Sequence, residues 1–407
     1  MLKCGLLGEK LGHSYSPRIH AELGDYEYKL YEKSPAELPD FLRFGDFHGL
    51  NVTIPYKKTV IPYCAALSDE AAAIGSVNTL LRRTDGSLFG DNTDAFGFRK
   101  MVEKSGISVR GKKALIFGSG GASVTVRAVL TALGAGKIVT ISRSGEDNYT
   151  NLDRHADAQV LINATPLGMY PENGAAPVSL RDFPRCEAVL DVVYNPSRTA
   201  LLLEAEELGI PRAGGLTMLV QQAIRASELF TGNTVDPAEA ERIEGLIRGE
   251  MENVILIGMP GCGKTTAGKL LAEKLRRPFA DCDSYIEERS GMSIPAIFAA
   301  EGEAGFRKRE TEALAELCKQ SGTVIATGGG CVTVEANYPL LHQNGVIVYI
   351  TRDLPALPTE GRPLSQSNAV EELFEKRKHA YARFADVSVE NRGSKEELLN
   401  AVMEVLP

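Results

Sequence analysis

Twice in this chain a short apolar run ends in a glycine-rich turn that opens a helix-like stretch, and this constrains the fold more than any other feature. The first run is Ala114 to Phe117, followed by Gly118-Ser119-Gly120-Gly121-Ala122-Ser123. The second is Val254 to Ile257, followed by Gly258-Met259-Pro260-Gly261-Cys262-Gly263-Lys264-Thr265. A strand that turns through glycines into a helix lets backbone N–H groups converge on phosphate at the positive end of the helix. Two such openings predict two nucleotide sites. Around them, short apolar runs alternate with helical stretches, the rhythm of parallel α/β domains. At 407 residues the chain exceeds what one core usually serves.

The second opening has the spacing of a P-loop. Gly261 and Gly263 let the backbone wrap a phosphate, Lys264 supplies a mobile charge, the Thr265 hydroxyl can ligate Mg²⁺, and Thr266 adjoins it. The first opening is a variant of G-x-G-x-x-G in which Ser123 stands at the third glycine. A second strand is expected at Lys137 to Ile141, and Ser142-Arg143-Ser144 follow it where an NAD site would place an acid. An Arg flanked by hydroxyls suits a 2′-phosphate, which points to NADP(H). Gly118, Gly120, Gly121 and Ala122 are the backbone cradle of that site.

Charge and composition exclude some classes. A net charge of -8 gives no general attraction to nucleic acid or to an anionic membrane. Seven scattered cysteines without a C-x-x-C pair suit reduced thiols in the cytoplasm. The apolar opening of the chain is too short for a signal peptide and reads as a first strand. Asp236 to Glu250 reads as the last helix of the first part, with the second part starting near Asn253.

Further residues carry two family resemblances. From Asn253 to Pro407 the chain resembles shikimate kinase: Asp281-Cys282-Asp283 is similar to the family's acidic pair. Glu303-Ala304-Gly305-Phe306-Arg307, Gly328-Gly329-Gly330, Arg362-Pro363-Leu364 and Arg377-x3-Tyr381 match its later segments in order. The resemblance implies that Asp281 joins Thr265 at Mg²⁺ and that Asp283 receives the hydroxyls of shikimate. It also implies that Arg307 and Arg377 grip the carboxylate beside Gly329, and that Arg362 closes over the phosphates of ATP.

From Leu2 to about Phe230 the chain resembles shikimate dehydrogenase. The matching segments are His13-Ser14-Tyr15-Ser16-Pro17, Asn51-Val52-Thr53-Ile54-Pro55-Tyr56-Lys57, Ser76-Val77-Asn78-Thr79 and Gly90-Asp91-Asn92-Thr93-Asp94. By that resemblance Ser14 and Ser16 take the substrate carboxylate, Thr53 adjoins it, Asn78 and Asp94 take ring hydroxyls, and Lys57 is the catalytic amine paired with Asp94. Downstream, Thr165 lies by the nicotinamide ribose, Tyr194 and Gln222 reach the substrate, and Gly215 and Met218 flank the nicotinamide. Gln221 leaves a one-residue ambiguity of register.

The expected architecture is an α/β two-domain dehydrogenase followed by a P-loop kinase with a parallel sheet. Residues 1–97 form the substrate-binding domain, completed by the helix near 216–245. Residues 98–215 form a Rossmann-like NADP domain, and residues 253–407 the kinase. The expected activity is NADPH-dependent reduction of 3-dehydroshikimate to shikimate, then phosphorylation with Mg-ATP to shikimate 3-phosphate. A homo-oligomer is left open. Three alternatives also stay open: an NAD-preferring quinate/shikimate dehydrogenase, disfavoured by Ser16 and Arg143; another small-molecule kinase, such as a gluconate kinase, disfavoured by Arg307 and Arg377; and a silent half serving only to bind.

Overall fold

The structure, a computed structural model, describes residues 1–12, 14–357 and 367–406. The chain divides into two compact units, Met1–Ile247 and Arg248–Pro407, and each is described by itself.

The first unit holds two sheets. The six-stranded sheet runs in space as Glu27–Glu32, Lys3–Gly8, Gly49–Val52, Thr79–Arg82, Leu88–Asp91 and Cys64–Leu67. It is mixed: Thr79–Arg82 runs antiparallel to both of its neighbours, whereas the sequence rhythm suggested parallel strands. The cause is a tight hairpin at Arg83 to Ser87, where Gly86 takes φ of 84° and Arg83 N–H donates to the Ser87 carbonyl at 2.8 Å. Leu7, Leu50, Val52 and Leu80 form the core of this sheet.

The second sheet is five-stranded and parallel, in the order Arg212–Ala213, Ala188–Asp191, Val160–Asn163, Lys113–Phe117, Lys137–Ile141. Strand Lys113–Phe117, paired on both sides, is buried on both faces. Ala114 and Ile116 enter one core cluster, while Leu115 and Phe117 enter another, as a parallel strand covered on both sides requires. The helix after the first glycine turn is Gly121–Ala132, so the last glycine of the turn already belongs to the first helical turn. The 97/98 division of the expected domains falls inside helix Thr93–Ser105. That helix packs against Leu216–Thr231, and the close approach is made at Gly97, where a Cβ would meet the Met218 carbonyl at 2.5 Å. Behind the pair, the buried Glu244 accepts from Lys104 at 3.1 Å and from Thr217 at 3.0 Å.

The second unit is built on one parallel sheet in the order Phe279–Asp281, Val324–Ala326, Asn253–Ile257, Gly345–Thr351, Val387–Glu390. Val254 to Ile257, Val324, Ile325, Ile347 and Val348 make its core. The P-loop leaves the central strand, so its glycines lie at the carboxyl edge where the crevice of an open α/β sheet forms.

Candidate active sites

In the first unit a cleft of about 270 Å³ opens between the carboxyl ends of the two sheets. Ser14, Ser16, Thr53, Lys57, Asn78, Asp94, Ala122, Tyr194, Gly215, Met218 and Gln222 all line it, so eleven residues far apart in sequence converge. Gln222 lines the cleft and Gln221 does not. Lys57 sits on the loop after Gly49–Val52, and Asp94 lies in the first turn of Thr93–Ser105, capped by the Asn92 side chain. The Lys57 Nζ donates to Asp94 Oδ2 at 2.6 Å, with the two side chains 23% and 15% exposed. A half-buried amine held against a carboxylate, open to a small polar cavity, can donate a proton to an oxygen placed there and recover it.

The scaffold beneath is a buried hydrogen-bond chain. Asn78 donates to Thr93 Oγ1 at 3.0 Å and accepts from Thr93 N–H at 2.7 Å, fixing the Asn78 amide relative to Asp94. Asn51, which the sequence reading quoted only as part of a segment, also lines the cleft. It accepts from the Tyr28 hydroxyl at 2.8 Å and donates to Thr79 Oγ1 at 3.3 Å. On the facing wall, burial and the neighbouring Tyr15 push the Tyr194 phenol up, so it remains a donor. The rings of Tyr15 and Tyr194 meet edge-on at 6.3 Å.

Gly118, Gly120, Gly121 and Thr165 lie beside this cleft on the second sheet and outside its lining. Gly118 takes φ of 108°, and a Cβ there would meet Thr165 Cγ2 at 2.8 Å, so only glycine fits. A Cβ at Gly120 or Gly121 would meet nothing within 4 Å; that open space above uncapped helix N–H groups fits a pyrophosphate. Thr165 is fixed by Asn163, whose Oδ1 accepts from the Thr165 hydroxyl at 2.6 Å and whose Nδ2 donates to Asp191 Oδ1 at 3.0 Å. Burial pushes the Asp191 carboxyl up to about 6. Ser142, Arg143 and Ser144 follow the edge strand Lys137–Ile141, with Arg143 exposed.

In the second unit Gly258, Gly261 and Gly263 take φ of 147°, 85° and 110°, the left-handed backbone that aims N–H groups inward. Lys264 is buried and donates to the Gly258 and Met259 carbonyls at 2.9 and 3.1 Å; Thr266 is in the first turn of the same helix. The Thr265 hydroxyl donates to Asp281 Oδ2 at 2.7 Å. Among the described residues no group of three or more His, Cys, Asp or Glu could hold a metal. A hydroxyl beside one carboxylate fits Mg²⁺, which takes few protein ligands and leaves its other positions to phosphate and water.

The acceptor side is charged and buried. Burial and the nearby Asp281 push the Asp283 carboxyl up, and its Oδ1 has no partner among the described residues. Arg307 donates to Glu310 Oε2 at 2.7 Å and to Glu303 at 3.2 Å. Arg377 donates to the Gly329 carbonyl at 3.1 Å, and the Tyr381 hydroxyl donates to the same oxygen. A Cβ at Gly330 would collide with the Arg307 guanidinium, and one at Gly328 would lie 3.0 Å from Asp283 Oδ1. The turn 328–330 therefore lies against Asp283, Arg307 and Arg377 together. Glu310, fully buried, was missed in the sequence; its i,i+3 spacing from Arg307 was the available signal. Arg362, expected over the phosphates, lies outside the described residues, as does His13 of the first substrate segment.

Comparison with known proteins gives each unit relatives. The model of the shikimate kinase family matches residues 260–407, and that of the shikimate dehydrogenase substrate binding domain matches residues 6–80. An NADP(+)-dependent shikimate dehydrogenase of Clostridium perfringens is 38% identical over 260 residues, covering 59% of this chain and 96% of that protein. One from Methanopyrus kandleri is 36% identical over 270 residues, covering 58% and 92%. Among solved structures, shikimate 5-dehydrogenase from Thermus thermophilus in complex with NADP(H) and shikimate is similar at 32% identity and a TM-score of 0.55, covering 60% of this chain and 98% of that one. A chorismate mutase/shikimate 5-dehydrogenase fusion from Clostridium acetobutylicum gives 34% identity and a TM-score of 0.58, covering 60% and 97%.

Proposed function

This chain belongs to the shikimate dehydrogenase family and carries a shikimate kinase domain after it, and on that premise we propose that it performs two consecutive reactions on one small acid. The first unit reduces 3-dehydroshikimate to shikimate, and the second phosphorylates the 3-hydroxyl of shikimate. The observation that carries the first half is the 2.6 Å pair of Lys57 and Asp94 at the cleft.

Held at the glycine turn Gly118 to Gly121, NADPH would supply the hydride for the reduction. Lys57 Nζ gives a proton to the carbonyl oxygen as it becomes a hydroxyl, and Asp94 orients that amine and the neighbouring hydroxyl. Ser14 and Ser16 hold the substrate carboxylate; Asn51, Asn78 and Gln222 hold ring hydroxyls, and Tyr194 donates from the facing wall. The buried chain through Thr93 and Thr79 holds these amides still, and such placement is where much of the rate comes from. Thr53 and Met218 complete the cleft walls. Arg143, Ser142 and Ser144 take the 2′-phosphate.

In the kinase, the P-loop amides and Lys264 would hold the phosphates, a task that only the family resemblance extends to Arg362, and Mg²⁺ held near Thr265 and Asp281 would offset their charge. Asp283 accepts the proton of the attacking hydroxyl, a role suited to a carboxyl whose proton affinity is raised by burial. Arg307 and Arg377 fork the carboxylate beside Gly329. Seven cysteines with no disulfide between them favour the cytoplasm.

The test supplies the purified chain with 3-dehydroshikimate, NADPH and Mg-ATP. NADPH oxidation followed by ADP and shikimate 3-phosphate is expected. Lys57→Ala should abolish only the first step and Lys264→Ala only the second. NADPH oxidation without ADP, even with shikimate added, would remove the kinase from the reading.

A further inference from the structure

Arg143 rides at the tip of a loop whose closure is unusually complete. The Ser142 N–H donates to the Asp147 carbonyl at 3.2 Å, and the Asn148 and Asn151 side-chain amides donate to the Gly145 and Glu146 carbonyls at 3.1 and 2.9 Å. The loop is then tied down at two points. The Tyr149 ring lies over Phe117 at 6.3 Å and 24°, and Asp147 Oδ1 meets His155 Nε2 at 2.8 Å. His155 ends the short turn Leu152–His155 and is 6% exposed. Its Nδ1 has no partner among the described residues, so Asp147 is what this buried ring engages.

An acid four residues after Arg143 is at odds with binding a phosphate dianion. A free carboxylate on so short a loop would pair with the arginine or repel the phosphate. The bond to His155 engages that carboxylate, whose side chain is 33% exposed. We infer that Asp147 and His155 form a positioning pair that sets the preference for NADP(H) over NAD(H), by closing the loop and withholding the carboxylate from Arg143. The inference rests on the reading that Arg143 takes the 2′-phosphate. Neither residue lines the cleft, so neither acts on the hydride or the substrate directly.

The full chain is titrated with NADPH and with NADH by fluorescence, with the thermal unfolding of the first unit as the folding control. His155→Leu should weaken NADPH binding roughly 3- to 30-fold, the range over which residues without ligand contact modulate binding, and leave NADH binding unchanged. Adding Asp147→Ala to that variant should restore most of the lost affinity, because the freed carboxylate is gone. A residue that served only stability would move both cofactors alike and show no such rescue. Should His155→Leu fail to fold, Asp147→Glu at the more exposed partner must lower NADPH affinity selectively, since its longer arm cannot keep the same bond. Equal shifts for both cofactors, or none, while Arg143→Ala loses only NADPH, would overturn the inference and leave the arginine reading intact. An Arg143→Ala variant with unchanged cofactor preference would overturn both.

Discussion

Replacing Gly97 by Ala adds one methyl group where two helices of the cleft touch backbone to backbone. Gly97 is buried in the helix that begins beside Asp94, and its φ is not among the positive values of this chain. Ala is therefore conformationally welcome there and would by itself stabilise the helix by about 0.5–1 kcal/mol. The added Cβ, however, would stand 2.5 Å from the Met218 carbonyl oxygen and 3.1 Å from both Cβ and N of Gln222. Ordinary contact begins at 3.4 Å, so the helices must part by close to an ångström, and backbone cannot yield as a flexible side chain does. Overpacking of this kind costs about 1–3 kcal/mol. The steric term wins, for a net loss of about 1–2 kcal/mol.

The functional loss should be larger than the stability loss. Met218 and Gln222 line the cleft from one helix while Asp94 holds Lys57 from the other. A displacement near 1 Å at a reacting site costs on the order of a hundredfold. Gly97→Ala should therefore lower kcat/KM for dehydroshikimate reduction by about 10- to 100-fold. Kinase activity of the same molecule supplies an internal standard for concentration and folding. A variant that reduces dehydroshikimate at the wild-type rate, with unchanged or higher thermal stability, would refute the close-packing argument.

Other perturbations separate the two units. Glu310→Gln removes the buried anion that holds Arg307; a charge-assisted bond is worth about 1.5–3 kcal/mol, so KM for shikimate in the kinase assay should rise by roughly tenfold or more with NADPH oxidation untouched. Gly330→Ala drives a methyl group into the Arg307 guanidinium, and kinase kcat/KM should fall about a hundredfold, read by ADP release. Asp191 offers a pH test: its folded value, pushed to about 6 by burial, lies above the ordinary 3.8. The folded state therefore keeps a proton that the unfolded chain releases, and this group's contribution to stability falls as pH rises from about 4 to 6. Asp191→Asn should remove that fall, gaining at most about 3 kcal/mol at pH 7 relative to pH 4, measured by denaturant unfolding of both proteins at the two pH values.

The parts legible in the sequence were those whose signal is local. Strand Lys137–Ile141 follows from its apolar run, and the P-loop from glycines whose left-handed backbone admits little else. The antiparallel hairpin does not show in the strand rhythm; its signal is the Asp85-Gly86 turn, since that dipeptide between apolar runs marks a hairpin. Asn51 and Glu310 escaped for a different reason. Their roles depend on burial and on partners that only the folded chain brings near, such as Tyr28 for Asn51. The same holds for Glu244, tied to Lys104 and Thr217 from 140 and 27 residues away.

Each site pairs an exposed chemical demand with a hidden support. Lys57 and Arg307 belong to recognisable segments, and each is held by a carboxylate, Asp94 at 37 residues' distance and Glu310 at three. A cation alone in a cleft would be free to sample many rotamers and would bind an anion without orienting it; the fixed carboxylate removes that freedom before the substrate arrives. This also reconciles a chain of net charge -8 with ligands that are all anions. Beyond about 8 Å the surface charge is screened at physiological salt, so what a phosphate or carboxylate meets is the local set of amides, Lys and Arg, with Asp94 and Glu310 holding two of those cations in place. Asp147, bonded to His155, follows the same rule.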